Sequence, residues 1–229
     1  MTRYPKIWFL RHGETEWNAE RRIQGWAPSP LNEEGRRQAR ALGEHVATRY
    51  GVDRIVSSDL RRTTETTREL RRSLPDADVE FSRAWRERDF GVLQGLAYRE
   101  LFEGYPEFSV RKSGYPAAAA RPEGGESWQD VYDRIRDAWT ELVDELDEAE
   151  TVLIVTHGGP IHVVIGLLKG YDVAETIAEI DLGNCALTEV GVDADERDSP
   201  NPDSRDRQDA DGELTLRREC VATFLDDEQ

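Results

Sequence analysis

Short apolar runs alternate along this chain with longer segments whose apolar residues return every three or four positions. "KIWFL" (6–10) is a compact apolar run that reaches a turn glycine at Gly13, the pattern of a buried strand. "LNEEGRRQARALGEHVATRY" (31–50) reads as a helix, with Asn32 as N-cap, glutamates in the first turn, and Leu42, Val46 and Tyr50 at helical spacing. "DRIVSS" (53–58) reads as a second strand and "DLRRTTETTRELRRSL" (59–74) as the helix after it. The clearest amphipathic helix is predicted over 127–149, where Val131, Ile135, Trp139, Leu142, Val143 and Leu146 follow the 3.6-residue period. "TVLIVTH" (151–157) is apolar almost throughout, as a central parallel strand would be, and "GGPIHVVIGLLKG" begins another helix.

Strands that alternate with helices imply an α/β sheet covered on both faces. Two further strands are expected near 184–191 and 213–221. Between them, "DADERDSPNPDSRDRQDADG" (193–212) holds no apolar residue larger than alanine, and it reads as a disordered acidic hairpin insertion. The segment 104–126, with Gly, Pro and an alanine run, reads as loop-rich. There is no internal repeat. The 229 residues therefore read as one domain, 1–229, carrying that insertion.

Charge narrows the possible partners. The formal net charge is -17, and Lys6, Lys112 and Lys169 are the only lysines among 30 basic residues. An acidic surface depleted in lysine fits a protein kept soluble in strong salt, the halophile pattern, where self-repulsion is screened over about 3 Å at molar salt. Such a chain is a poor partner for nucleic acid. No apolar run is long enough to span a membrane, and the N-terminal residues lack a signal-peptide pattern. Cys185 and Cys220 form no metal or redox motif, so a reducing cytoplasmic compartment is expected. Nothing in the pattern selects an oligomeric state.

An anionic ligand would need a local basic pocket, and the strand ends offer one. The first strand ends at Arg11-His12, the second at Ser57-Ser58 ahead of Arg61 and Arg62, and the third at His157-Gly158-Gly159. In parallel α/β sheets ligands bind beyond the carboxyl ends of strands. Arginine's planar fork suits phosphate, and Gly158 and Gly159 would let a helix N-terminus approach an anion closely. His45 is expected at the surface. His162 lies off the helical face of His157, so no metal site is expected. The aromatic residues at 26, 85, 98, 105 and 115 could be core or could line a cleft, and Glu14 and Glu16 suggest no role.

In this order, "LRHGETEWN" (10–18), "SSDLRRTTET" (57–66), "RERDFGVLQG" (86–95) and "VTHGG" (155–159) resemble the histidine phosphatase superfamily, which includes the cofactor-dependent phosphoglycerate mutases. The resemblance runs from about residue 5 to 190. It implies a phosphoglycerate mutase-like fold, a three-layer α/β/α sandwich with a mostly parallel central sheet. It implies that His12 is a nucleophile forming a phosphohistidine, that Arg11, Arg62 and His157 surround the phosphoryl oxygens, and that Asn18 donates to them. The family's spacing of serine, one residue, leucine, one residue, arginine, met by Ser58, Leu60 and Arg62, implies Arg62 rather than Arg61. Glu87 would be general acid for the leaving oxygen and then base for water, with Glu80, Glu100 and Asp89 as rival acids. Gln24 and Gly25 match a substrate-side loop.

Mutases and phosphatases of this family share these residues. "FGVLQGL" resembles the mutase version, but Tyr98 stands where mutases carry a lysine, and Arg111-Lys112 is the only counterpart to their paired arginines. A phosphatase of small phosphorylated metabolites, with no cofactor, is therefore the expectation. The alternative is a mutase using 2,3-bisphosphoglycerate, and a third reading is a non-catalytic phosphate-binding scaffold.

Overall fold

The alternation of side chains along the strands sets the layers. The structure, a computed structural model, describes residues 5–113, 115–147, 149–178, 187–192 and 214–221. The strands are β1 (Lys6–Arg11), β2 (Arg54–Ser58), β3 (Asp78–Ser82), β4 (Thr151–Thr156), β5 (Leu187–Val192) and β6 (Leu214–Val221). They form one six-stranded sheet in the order β3-β2-β4-β1-β5-β6. Parallel pairing joins β1 to β4, β4 to β2 and β2 to β3, while β5 runs antiparallel to both β1 and β6. The expected insertion at 193–212, and Cys185, lie outside the described residues.

Helices fill the connections. These are α1 (Glu16–Ala19), α2 (Glu33–Arg49) and α3 (Arg61–Leu70), then α4 (Tyr98–Gly104), α5 (Val110–Ser113), α6 (Pro116–Ala119) and α7 (Trp128–Asp144), and after β4, α8 (Gly158–Lys169) and α9 (Val173–Ala178). Ile7, Phe9, Val152 and Ile154 face one way and pack with Val131, Ile135 and Leu142 of α7 and Ile161 and Ile165 of α8. Trp8, Leu10, Leu153 and Val155 face the other way, onto Leu42 and Val46 of α2 and Leu70 of α3. Two apolar faces covered by two helix layers give the three-layer sandwich, with its sheet mostly parallel. Among the described residues no helix is long and apolar enough to cross a membrane.

Several elements differ from expectation. β3 was not foreseen. It is the sheet edge, carries only Val79 and Phe81 as apolar residues, and leaves Phe81 52% exposed, so no buried pattern marks it. α7 stops at Asp144 rather than reaching 149. Its last turn has no basic residue and acidic side chains follow, which opposes the helix dipole. The 59–74 helix is confined to Arg61–Leu70, because Leu60 is extended and Arg71 closes the last turn. The segment 104–126 is not plain loop but contains α5, α6 and a 3-10 turn at Pro106–Phe108. Asn32 caps α2 as expected, its side chain accepting from Gly35 N at 2.8 Å. His45 is half-buried rather than at the surface, its ring 6.3 Å from that of Tyr50.

Parallel strands bring the polar ends of β1, β2 and β4 to one edge, with Arg11 beside Thr156. The turn after β1 is pinned there. His12 N donates to Thr156 O at 3.0 Å, Gly13 N to Thr66 Oγ1 at 3.1 Å, and Glu14 N to Gln38 Oε1 at 3.0 Å. Glu14 Oε1 also accepts from Asn32 Nδ2 at 2.8 Å, which gives this glutamate a structural role. Backbone meets backbone here: a Cβ on Gly35 would collide with Glu14 O and N, and one on Gly13 with Gly35 O. Gly35→Ala is therefore expected to destabilise the fold by about 1–3 kcal/mol, the usual cost of overpacking, and to lower the thermal unfolding midpoint. Gly104→Ala, whose Cβ would enter open space, is the control and should leave the midpoint unchanged.

Candidate active site

β1 delivers its last residues to the edge of the sheet, and the turn that follows orients His12. The imidazole is buried, and its Nδ1 lies 2.8 Å from Gly13 O. A carbonyl can only accept, so Nδ1 carries the proton and Nε2 keeps its lone pair. That lone pair accepts from Arg62 Nε at 3.1 Å. Burial first, and then the Arg62 and Arg11 cations, hold His12 well below the ordinary histidine value of 6.5, while the bond to Gly13 acts in the opposite direction.

Arg62 enters from the first turn of α3. It is 1% exposed, whereas Arg61 points outward and pairs with Glu65 at 2.8 Å. The geometry therefore favours Arg62 over its neighbour, as the spacing does. Arg62 Nη2 donates to Gly25 O at 2.8 Å. Gly25 holds a left-handed φ of 52°, and a Cβ there would crowd Gln94 and the backbone of Phe90. The role Gly25 shows is to present its carbonyl to the guanidinium. Burial lowers Arg62 to about 10, which leaves it cationic at neutral pH.

His157 follows β4 and is the N-cap of α8. Its Nε2 lies 2.9 Å from Ser58 Oγ at the end of β2, and its ring meets that of His12 edge-on at 5.2 Å. Its buried Nδ1 has no hydrogen-bond partner among the described residues. Burial, followed by Arg62, His12 and Arg11, pushes His157 well below 6.5. Thr15 organises the polar loop opposite. Its Oγ1 lies 2.9 Å from Asn18 Oδ1 and 3.0 Å from Gln24 Oε1, which turns both amide nitrogens away from Thr15.

Glu87 stands on the far side of the pocket. Its Oε1 accepts from Arg88 N at 2.9 Å and its Oε2 from Gly159 N at 3.3 Å. A Cβ on Gly159 would strike Glu87 Oε1, whereas one on Gly158 would meet nothing. The glycine that this packing requires is thus Gly159, and Gly158 simply lines the cavity. Glu80 lies on the edge strand β3 and Glu100 on α4; neither lines the cavity, and nor does Asp89.

A cavity of about 620 Å³ joins these groups. Every site residue expected from the sequence lines it except His157, whose ring meets that of His12 edge-on. Lys112, the sequence counterpart of the mutases' paired arginines, also lines it, as do Arg88 and His162, which the sequence did not place there. Arg88 is buried among the rings of Phe90, Phe108 and Trp128, and donates to Glu126 O at 2.8 Å and Ala120 O at 3.1 Å. Its neighbour Glu87 drew the sequence reading, and nothing in "RERDFG" marks Arg88 as buried. Of the aromatics left open, Trp85 is core and Tyr98 lines the cavity. Trp26 is half-buried and donates to Glu87 O, and Tyr105 and Tyr115 are exposed. The inner end thus holds a neutral imidazole lone pair between guanidinium groups, with a carboxylate across from it. Such a set can attack an electrophilic phosphorus and stabilise the oxygens around it.

Known proteins are similar to this chain in sequence and in fold. Residues 7–200 match the histidine phosphatase superfamily (branch 1). The phosphoglycerate mutase-like protein 4 of Arabidopsis thaliana is 38% identical over 158 residues, 69% of this chain and 68% of that one. A probable phosphoglycerate mutase, GpmB, of Salmonella newport is 35% identical over 185 residues, 81% of this chain and 84% of that one. Among solved structures, a mycobacterial glucosyl-3-phosphoglycerate phosphatase in complex with VO3 is 33% identical, with a TM-score of 0.69 over 81% of this chain and 92% of that one. The chain belongs to the histidine phosphatase superfamily, whose members carry the phosphoryl group on a histidine.

Proposed function

We propose that this protein is a phosphatase of small phosphomonoesters that works through a phosphohistidine on His12. The observation that carries this reading is the His12 tautomer: proton on Nδ1 against Gly13 O, lone pair on Nε2 facing Arg62. Nε2 attacks phosphorus as the bond to the leaving oxygen breaks. Glu87, bearing a proton, gives it to that oxygen. Arg11, Arg62, His157 and the amides of Asn18 and Gln24 surround the phosphoryl oxygens, and the buried Nδ1 of His157 is a further donor for them. The Glu87 carboxylate then takes a proton from water, whose oxygen attacks phosphorus. The N–P bond breaks, inorganic phosphate leaves and His12 is neutral again.

Hydrolysis is favoured over mutase chemistry by the outer cavity. A mutase must hold a second phosphoryl group where the leaving alcohol sits, which calls for cationic walls. Here, beside Arg88, Lys112 and His162, the cavity walls are Ile23, Phe90, Leu101, Phe102, Phe108 and Ile177, which offer no charge. Tyr98 lines the cavity where mutases carry a lysine. Relatives named as mutases keep the alternative in view, with 2,3-bisphosphoglycerate as its cofactor.

Two measurements test this reading. Purified protein given a phosphomonoester should form an acid-labile phosphoenzyme and release inorganic phosphate. His12→Ala should abolish both, and Arg62→Ala should lower kcat by about 10²–10³. If phosphoglycerate interconversion with added bisphosphoglycerate outruns phosphate release, the protein is a mutase.

The second is pH dependence. Attack requires unprotonated Nε2, and His12 is held below 6.5. The His12 lone pair therefore stays available as pH falls through 6.5, so kcat/KM should show no loss from His12 protonation near that value. Arg62→Gln removes one of the cations that depress His12, so the His12 titration followed by NMR should move up toward 6.5.

A further inference from the structure

The segment that carries Glu87 lies between β3 and α4 and belongs to no sheet. Something else must satisfy its backbone, because buried carbonyls need donors. Four consecutive carbonyls are claimed by side chains. Ala84 O and Arg86 O accept from Arg134 Nη1 at 2.7 and 2.9 Å. Trp85 O accepts from Thr156 Oγ1 at 2.7 Å. Glu87 O accepts from Trp26 Nε1 at 2.7 Å and Arg134 Nη2 at 3.4 Å. One guanidinium, on α7, thus holds three of the four.

That guanidinium is itself locked. Arg134 Nε and Nη2 donate to the two oxygens of Glu126 at 3.1 and 2.9 Å, and both side chains are about four-fifths buried, at 21% and 18% exposure. Glu126 reaches the same segment beyond Glu87, since its Oε2 accepts from Asp89 N at 3.0 Å and its own N donates to Asp89 O at 2.9 Å. Residues on both sides of Glu87 are fastened to one ion pair. The bidentate fork fixes direction as well as distance. A loss of about 1 Å in the placing of a catalytic group can cost about 10²-fold in rate.

We propose that Arg134, fixed by Glu126, is the positioning residue for Glu87, holding the backbone of 84–87 so that its carboxyl faces the leaving oxygen. This rests on the reading of Glu87 as the proton donor. The consequence is specific to the proton. An alkoxide leaves only if it is protonated as the P–O bond breaks, whereas a dinitrophenolate leaves as a stable anion. Loss of the clamp should therefore depend on the leaving group, which general loosening of the fold would not.

The test is kcat/KM on an alkyl phosphate and on 2,4-dinitrophenyl phosphate, measured for the full chain and for Arg134→Met, Arg134→Lys and Glu87→Gln. Glu87→Gln should lose about 10²–10⁴ on the alkyl ester and far less on the dinitrophenyl ester. Arg134→Met should show the same split, its loss on the alkyl ester at least about tenfold the larger. Arg134→Lys, a point donor that cannot span three carbonyls and Glu126, should fall between Met and the native protein. If Arg134→Met does not fold, the Lys variant decides by the same ratio. Equal losses on both esters, with Glu87→Gln still showing the split, overturn the clamp alone. If Glu87→Gln shows no split, the proton-donor reading fails and the clamp falls with it.

Discussion

The site depends on keeping a histidine neutral while arginine cations stand against it. His12 and His157 are both buried beside Arg62, with their rings 5.2 Å apart. Were either protonated, several positive charges would share a water-poor volume, which is the arrangement low dielectric penalises most. Desolvation and the neighbouring cations therefore act together, and both hold the histidines below their ordinary value. The result is a good nucleophile and a positive field in one place, two properties that usually oppose each other. Arg62 makes this possible because backbone carbonyls hold it, those of Gly25 and Ala27. Carbonyls orient a guanidinium without neutralising it, so its charge remains for an arriving anion. That local field is what a chain of net charge -17 needs in order to receive a phosphate ester.

The fold was legible wherever local pattern and tertiary position agree. β1, β2 and β4 are central, so their sequences are apolar runs, and their ends lie within a residue or two of expectation. β3 is an edge, and an edge strand needs no buried face, so "DVEFS" carries no signal. The site was legible for the same topological reason. Residues that end parallel strands converge, so the sequence alone groups Arg11, His12, Ser58 and His157. Residues that act through packing could not. Gly159 matters because Glu87 lies against it, and Arg88 and Arg134 look like ordinary charges in charged segments until the carbonyls they hold are seen, those of Glu126 and Ala120 for Arg88 and of Ala84 and Arg86 for Arg134. Glu14 is the clearest case. The sequence suggested no role for it, and it anchors the turn that carries His12 to α2.

The two ends of the cavity are built from different kinds of structure, and this separates chemistry from selectivity. The inner end is made by strand termini and by the first residues of α3 and α8, which the sheet register holds rigidly. The outer end is made by α4, α5 and their neighbours, short helical turns with few sheet contacts. Short turns tolerate change better than central strands do, because fewer backbone bonds depend on them. In the proposed reaction Glu87 sits at the junction and serves both ends, meeting whichever alcohol the outer walls admit while staying fixed relative to His12. A carboxylate on an unsupported loop would drift with every change in those walls. Tying its backbone to α7 and β4, through Arg134 and Thr156, couples it to the rigid end instead. The outer walls are then free to vary in shape without moving the Glu87 carboxyl away from the inner end.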